Sequence, residues 1–166
     1  LLVLVVTSIQ NNTFQLINKN KISLLICNRD TGKISAEFIQ AVDKIDMFKI
    51  VQVSKDESEQ QITNRMKTKD ALLAMVISAD FSVKIDTTAK IISGKALNAF
   101  GLEGDTLNPN AANIGPVTLY YQPILQESFR QSIQGAFYSA LQLVESKQIL
   151  RNLYFSINET PLPLKL

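Results

Sequence analysis

Histidine and tryptophan are absent from this 166-residue chain, and cysteine occurs once, at Cys27. Without histidine the chain holds no Ser-His-Asp or Cys-His nucleophilic site, no imidazole metal ligand and no histidine-based proton switch. A single cysteine excludes an internal disulfide and a thiolate zinc cluster. Because a chain that needs no disulfide can function on either side of a membrane, the redox compartment stays open.

Charge is also scarce. Charged residues make up 19 % of the chain, below the usual quarter, and 12 Asn and 12 Gln fill part of the gap. The 17 basic residues exceed the 15 acidic ones by only two, and they are scattered, with no aromatic residues interleaved among them. Since nucleic-acid binding needs a concentrated basic surface, no nucleic-acid partner is expected.

The chain opens on a short apolar run, LLVLVV at residues 1–6. Six residues are too few to cross a bilayer, which takes about 20, and no basic region or small-residue cleavage site marks a signal peptide. Two interpretations remain open: a core strand, or the outer end of a transmembrane helix. The amide-rich continuation carries Val6, Ile9, Phe14 and Ile17 at roughly helical spacing, which predicts a helix ending near residues 18–20.

Three short apolar runs in the first half alternate with helical patterns. The predicted strands are residues 22–27, 48–53 and 71–77. Ile34, Phe38, Val42 and Ile45 mark one face of the first intervening helix, with Thr31 or Ser35 as N-cap. A second, shorter helix is predicted within residues 54–67. Connections of this length favour parallel strands joined by crossovers, a β-α-β-α-β unit.

The second half is less regular. One helical turn is expected within residues 78–90, and residues 94–115, with four Gly and four Asn, are predicted to form a loop excursion of unknown role. A fourth strand is predicted at residues 116–122 and a helix of roughly 37 Å at residues 125–150. The remaining tail is aromatic and broken by prolines. The predicted class is α/β: a small mixed sheet flanked by long N- and C-terminal helices.

The tripeptide Asp30-Thr31-Gly32 follows the first strand, as in several catalytic motifs. Aspartic proteases of the retroviral kind continue with Ser or Ala, but Lys33 follows here and leads into a helix. Enzymes that form an aspartyl phosphate need the aspartate directly at the strand end, where Asn28 stands. Asp30 therefore remains only an alternative candidate for a hydrolase or phosphotransferase.

A P-loop is excluded at the same turn, because Cys27 replaces its first glycine and Ile34 its final Ser or Thr. The favoured interpretation is a strand-to-helix turn in which Gly32 supplies a positive φ. Cys27 itself is expected to be a buried, inert small hydrophobe. The chain also lacks S-x-x-K, G-x-S-x-G and G-x-G-x-x-G.

Three acidic residues, Asp56, Glu57 and Glu59, precede or open the second helix. Carboxylates are ligands for hard cations, but acidic residues also stabilise a helix N-terminus that faces water, and the second interpretation is favoured. The sequence therefore predicts no catalytic residue, no metal ligand and no cofactor, and the ligand or partner contacts are unknown.

In their order, these segments resemble the extracytoplasmic domain of type-two ABC exporter permeases. The resemblance begins with the apolar helix end and amide-rich stalk and continues with the strand and polar turn ISLLICNRDTGKIS. It then takes in EFIQAVDKIDMFKIV, KDESEQQI, ALLAMVISADFS and the long helix after PVTLYYQPILQESFRQSIQGAF. The family usually has Pro where Ser78 or Ala79 stands, and its excursion is shorter than residues 94–115.

The resemblance implies a non-catalytic domain of an inner-membrane export permease, lying on the extracytoplasmic side. Residues 1–20 would be a transmembrane helix end and stalk, residues 21–122 the α/β domain, and residues 123–166 the helix and tail returning to the membrane. The implied partners are a cytoplasmic ATPase subunit, a second permease subunit and the membrane. The alternative is a free-standing small-molecule-binding domain of periplasmic-binding type, with its site at the strand ends near Asn28, Ser54 and Ser78.

Overall fold

A computed structural model describes residues 21–68, 71–102 and 117–158. Four strands and four helices are formed there. The strands are β1 (Ile22–Asn28), β2 (Phe48–Val53), β3 (Leu73–Ile77) and β4 (Val117–Tyr121). The helices are α1 (Lys33–Asp43), α2 (Glu59–Thr68), α3 (Phe81–Ala99) and α4 (Glu127–Asn158). The predicted α/β class is confirmed.

The strands form one mixed sheet in the order β2-β1-β3-β4. β1 pairs in parallel with both β2 and β3, as the sequence predicted, while β4 runs antiparallel to β3 with Val117 opposite Ile77. The chain goes from β1 to β2 on one side and then across β1 to β3 on the other. The strand order therefore reverses between β1 and β3, and their carboxyl ends meet there.

The larger core lies on one face of the sheet, where α1, α3 and α4 pack against all four strands. Two pairs of stacked rings lie in this core. Phe38 of α1 stacks on Phe81 of α3 with ring centroids 5.3 Å apart, and Phe48 of β2 stacks on Phe137 of α4 with ring centroids 5.1 Å apart. Alternation of side chains along each strand sends the other residues to the opposite face. There α2 covers a smaller cluster that includes the buried Cys27.

Helix α3 corrects the prediction of a single turn followed by a loop from residue 94. The helix runs for 19 residues, and its buried side recurs every fourth residue at Phe81, Ile85, Ala89 and Ser93. Ala and Ser carry little hydrophobic signal, and Gly94 lies within the helix against its propensity. Residues 103–116, most of the predicted excursion, lie outside the described residues.

Helix α4 is longer than predicted: it starts at Glu127 and continues through Asn158, 32 residues in all. At 1.5 Å per residue this is about 48 Å. Residues 151–158, interpreted from the sequence as part of a broken tail, are helical. The predicted helix at the start of the chain lies outside the described residues. Within the ranges given above, no helix combines the length and the hydropathy that crossing a bilayer requires.

Candidate functional site

The meeting point of the β1 and β3 carboxyl ends is where a sheet of this kind is expected to hold a ligand. In open α/β sheets, ligands bind in the crevice at the carboxyl ends of the strands where the strand order reverses. Asn28 ends β1, and Ser78 directly follows β3. Asp30 lies in the turn that leaves β1 toward α1. This edge therefore contains Asp30, the candidate for a hydrolase or phosphotransferase, and the strand-end residues predicted for a small-molecule-binding domain.

Asp30 is the central residue of this edge, and it is only 7 % exposed. Its Oδ2 accepts hydrogen bonds from the Gly32 amide at 2.7 Å and from the Ser82 hydroxyl at 2.6 Å. Its Oδ1 accepts the Ser82 amide at 3.2 Å. Both carboxylate oxygens are thus occupied by donors of the chain itself.

The donors that hold Asp30 come from the N-termini of two helices. Gly32 is the N-cap of α1, and Ser82 is the second residue of α3. The first amides of a helix lack intrahelical acceptors, and the helix dipole favours a negative charge beside them. Such a position commonly binds an external anion. Here the Asp30 carboxylate occupies it and joins the two helices.

A small hydrogen-bonded network surrounds Asp30. The Ser82 hydroxyl accepts the Ser35 amide at 3.3 Å, and the Ser35 hydroxyl donates to the Gly32 carbonyl at 2.9 Å. Asn28 donates from Nδ2 to the Ser35 hydroxyl at 3.2 Å and accepts the Asp30 amide on Oδ1 at 3.1 Å. We refer to Asn28, Asp30, Gly32, Ser35 and Ser82 as the Asp30 junction.

Burial and hydrogen bonding act in opposite directions on the pKa of Asp30. Desolvation raises the pKa of the carboxyl, whereas the hydrogen bonds from Ser82 and Gly32 and the nearby Ser35 hydroxyl lower it, and the net result is a pKa below the usual value. Asp30 is therefore ionised near neutral pH, and three donors of the chain occupy most of its acceptor positions. This arrangement supports a joining role for Asp30.

Two details of the predicted turn are wrong. Gly32 has φ −78° and ψ 160°, an extended conformation open to any residue, so positive φ is not the reason for glycine. The reason is space, since a Cβ at this position would collide with the side chain of Ser82 and lie 2.9 Å from Asp30 Oδ2. Nor do Thr31 and Ser35 cap α1: the N-cap is Gly32, and Ser35 lies buried within the helix.

The other strand ends do not converge on an open site. The Ser54 carbonyl after β2 accepts the Cys27 thiol at 3.4 Å and the Glu57 amide at 3.2 Å. The Ser78 carbonyl accepts the Phe81 amide at 3.1 Å and forms the turn into α3. Asn28 bonds instead toward α1, so the three residues Asn28, Ser54 and Ser78 serve separate turns.

The three acidic residues Asp56, Glu57 and Glu59 take different positions in the fold. Only Glu59 lies in the first turn of α2. Glu57 is buried, contrary to the prediction that it faces water, and pairs with Arg65 at 2.8 Å between Oε1 and Nη2. Arg29 Nη2 also donates to the Glu57 carbonyl at 3.1 Å. Among residues 21–68, 71–102 and 117–158, no three acidic or cysteine side chains gather as metal ligands would.

A cluster that no local sequence pattern indicates joins α1 to α4. Arg151 forms a two-pronged ion pair with Glu37, Nη2 to Oε1 at 3.1 Å and Nη1 to Oε2 at 3.3 Å, and Lys147 adds a third contact at 3.2 Å. All three side chains are mostly buried. Burial raises the pKa of Glu37, but Arg151 and Lys147 lower it more, so its net pKa falls below the usual value. We call these three residues the Glu37 clasp.

An open groove of about 390 Å³ separates α3 from the last turns of α4. Asp86 and Lys90 form an ion pair at 2.7 Å on its α3 side, and Phe155 contributes an apolar wall from α4. The full lining is Asp86, Lys90, Ser93, Gly94, Leu97, Asn152, Phe155 and Ser156. The lining therefore combines one ion pair with small polar and apolar side chains from both helices.

Comparison with known proteins gives a structural likeness. No protein-family model matches the chain, and no curated protein matches it. A crystal structure of a domain ascribed to an ABC type-2 transporter of Thermotoga maritima MSB8 is similar at 15 % identity with a TM-score of 0.48. The likeness covers 84 % of this chain and 80 % of that one. At this identity and TM-score, the likeness concerns the course of the chain alone.

Proposed function

We propose that this chain is the extracytoplasmic α/β domain of an ABC-type export permease, and that it acts through contacts with other parts of the transporter and not through catalysis. The observation that carries the proposal is the closed edge of the sheet. The place where such a sheet takes a ligand is filled by Asp30 with donors from α1 and α3. What the fold leaves accessible is the surface of its helices, which suits a domain that meets partners.

The long helix α4 supports the same proposal. Its buried residues extend from Ile133 to Gln148, and the Glu37 clasp holds one more turn at Arg151. The following residues, 152–158, continue the helix with exposed Phe155 and Ile157. A helix that runs past its own core is expected where a domain is joined to further structure. The sequence resemblance makes that structure the membrane part of a permease.

The remaining assignments follow from the sequence resemblance. Residues 1–20 would lead out of a membrane helix, residues 21–122 would form the extracytoplasmic body, and residues 123–166 would return toward the membrane. The permease would lie in the bacterial inner membrane, pair with a second permease subunit and be driven by a separate cytoplasmic ATPase subunit. The exported substrate is left open.

The alternative of a free-standing small-molecule-binding domain requires an accessible site at the strand ends. Asn28 and Asp30 are engaged within the Asp30 junction, and Ser54 and Ser78 shape the turns before α2 and α3. Because these contacts engage the strand-end residues within the chain itself, we retain the transporter domain.

The encoding gene provides the first test. The proposal expects an apolar stretch of about 20 residues running into Leu1 and further spans of similar length after Leu166, with an ATPase gene nearby. A reading frame that starts with Met immediately before Leu1 and stops after Leu166 would contradict it.

Cysteine labelling in intact cells tests the location. Gln60 is exposed on α2. The native Cys27 is only 1 % exposed, so it is not expected to react with the label. In the full-length protein, Gln60→Cys is expected to react with a membrane-impermeant maleimide before lysis, while the parent protein does not. Labelling of Gln60→Cys only after lysis would place the domain in the cytoplasm and overturn the proposal.

A further inference from the structure

Helix α3 ends in two exposed apolar residues, Phe100 and Leu102, which we call the α3 tip. Phe100 is 83 % exposed and Leu102 is 52 % exposed. Among the large hydrophobic residues in the described ranges, none is more exposed than Phe100. Single apolar residues are common on protein surfaces, but two large ones at one helix end form a local apolar surface that water solvates poorly.

The backbone holds the α3 tip in its exposed position. The Leu102 amide donates to the Leu97 carbonyl at 3.0 Å. The Gly101 amide donates to the Asn98 carbonyl at 3.1 Å, and these are the two hydrogen bonds of a Schellman motif. Gly101 has φ 74°, a left-handed conformation that favours glycine. Because Leu97 is only 5 % exposed, the motif is bonded to a buried residue, and the exposure of Phe100 belongs to a well-formed helix end.

The α3 tip lies near the last turns of α4. Leu97, three residues before Phe100, lines the same open groove as Phe155 and Ser156 of α4. Under the proposed function the chain continues toward the membrane after Asn158, the last residue of α4. The tip is therefore placed on the side of the domain that faces the bilayer.

The size of the α3 tip favours a lipid surface over a protein partner. A stable protein interface takes about 20 residues or more from each side, packed with complementary shapes. The boundary between lipid headgroups and acyl chains accepts single phenylalanine and leucine side chains, because a fluid phase needs no matching shape. Two apolar residues at a helix end fit the second kind of surface.

The charges around the tip indicate which property of the lipid matters. In the sequence, Lys95 precedes the tip, and Glu103 and Asp105 follow it. With two acidic residues against one basic residue, no electrostatic attraction to anionic headgroups is expected. The contact should therefore depend on the apolar side chains and be insensitive to salt.

We propose that the α3 tip is a membrane contact, in which Phe100 and Leu102 enter the bilayer where the headgroups meet the acyl chains. The membrane side of the domain is taken from the course of α4, so this inference rests on the proposed function. The contact adds a point of attachment beside the chain that leaves α4, and it thereby restricts the tilt of the domain on the bilayer.

Fluorescence quenching by labelled lipid tests the contact. The full-length protein is reconstituted into phosphatidylcholine vesicles that carry a nitroxide on the acyl chain near the headgroup. Ala99→Cys, at an exposed position next to the tip, is labelled with a nitrobenzoxadiazole dye and keeps both tip residues. Val83→Cys, 67 % exposed in the first turn of α3, is the matched control, and buried Cys27 is not expected to react. The dye at position 99 should lose emission to the nitroxide, whereas the dye at position 83 should not.

Removing the ring tests the role of Phe100. In the Ala99→Cys background, Phe100→Ser should weaken the contact about tenfold or more, because one phenyl ring no longer enters the apolar phase. Ile92→Ser, at a 44 % exposed site about two turns before the tip, should leave the quenching unchanged, and so should raised salt. Circular dichroism verifies that the variants are folded.

The outcomes that contradict the contact are distinct from those that contradict the location of the domain. Equal quenching at positions 83 and 99, or none at position 99, would overturn the lipid contact. Blue-shifted emission at position 99 without nitroxide quenching would reveal a protein neighbour and overturn it as well. Because labelling of Gln60→Cys measures the location separately, an extracytoplasmic domain with an unquenched tip would overturn this contact and leave the proposed function intact.

Discussion

The Asp30 junction and an exposed apolar stripe on α4 reverse the usual distribution of polar and apolar groups. At the junction an ionised side chain is buried, and its three hydrogen-bond donors come from the chain itself. Along the stripe, which consists of Leu143, Leu150 and Ile157, the side chains are 48 %, 54 % and 63 % exposed. The first region thus buries a charge, whereas the second leaves apolar surface accessible.

This contrast indicates on which region the stability of the fold depends. A buried carboxylate is tolerated because its hydrogen bonds compensate for lost hydration. An exposed apolar stripe contributes little to folding, because its side chains stay largely in water. We therefore expect substitutions at the junction to lower the free energy of unfolding more than substitutions on the stripe.

The largest effect is expected for Asp30→Ala. It removes the acceptor of three hydrogen bonds and leaves the Gly32 and Ser82 donors buried, which should lower the free energy of unfolding by about 3 kcal/mol. Asp30→Asn keeps the shape and one acceptor oxygen and should cost less. Urea unfolding followed by circular dichroism measures both. A loss below about 1 kcal/mol in Asp30→Ala would show that the junction does not hold the two helices together.

Gly32→Ala should lower the free energy of unfolding by about 2 kcal/mol, because its Cβ collides with Ser82 in a site with no room to relax. The collision involves both Cβ and Oγ of Ser82. In the Gly32→Ala background, Ser82→Ala should therefore fail to relieve the clash, whereas Ser82→Gly should relieve it. Thermodynamic cycles built from the single and double variants measure the coupling. Equal relief by both changes would mean that Cβ contact is not the cause.

Glu37→Gln should destabilise the chain by about 1.5 kcal/mol, since it leaves two largely buried cations, Lys147 and Arg151, without their counter-charge. The matched control is Asp86→Asn, which breaks the more exposed Asp86–Lys90 pair and should cost less than about 0.5 kcal/mol. Urea unfolding compares the two variants. If both have the same effect, burial of the Glu37 clasp has no energetic consequence.

At acid pH, Asp30 should no longer stabilise the fold more than Asn does at this position. The pKa of Asp30 lies below its unfolded value when the chain is folded, so the carboxylate stabilises the fold above the unfolded pKa of about 3.9. This stabilisation is lost as the pH falls through the folded pKa. The difference in unfolding free energy between the parent chain and Asp30→Asn should be constant from pH 5 to 7 and shrink below about pH 4. A difference that grows in acid would contradict the lowered pKa.

The smallest effect on folding is expected on the exposed stripe of α4. Leu150→Ser should change the free energy of unfolding by no more than about 0.5 kcal/mol, because a half-exposed surface side chain loses few contacts. The inner-side variant Phe137→Ala, which removes a ring stacked on Phe48, should cost about 3 to 5 kcal/mol. Urea unfolding measures both variants. A large loss in Leu150→Ser would mean that the stripe contributes to the packing of the fold.

Sequence periodicity predicts the central strands because each is a continuous apolar run buried on both faces. It misses α3, whose buried side is built partly from Ala89, Ser93 and Gly94. Periodicity also does not show the role of Asp30, since Ser82 lies 52 positions away. The two residues meet only because the connection from β2 passes β1 and places β3 on its other side. The Glu37 clasp joins residues 114 positions apart. Such contacts come from the topology and leave no local pattern.

The same limit applies to α4. The sequence shows a helix there, but two stripes overlap on it: the core side, from Ile133 to Val144, and the exposed apolar stripe. Because the core stripe is the stronger, it accounts for the helix and obscures the second repeat. Only the measured exposure of Leu143, Leu150 and Ile157 separates the two sides.

Urea unfolding of Asp30→Ala and Leu150→Ser, measured side by side, tests the contrast between the two regions most directly. Asp30→Ala should lower the free energy of unfolding by about 3 kcal/mol, and Leu150→Ser should change it by no more than about 0.5 kcal/mol. Equal losses in the two variants would contradict the assignment of a closed sheet edge and an open helix face.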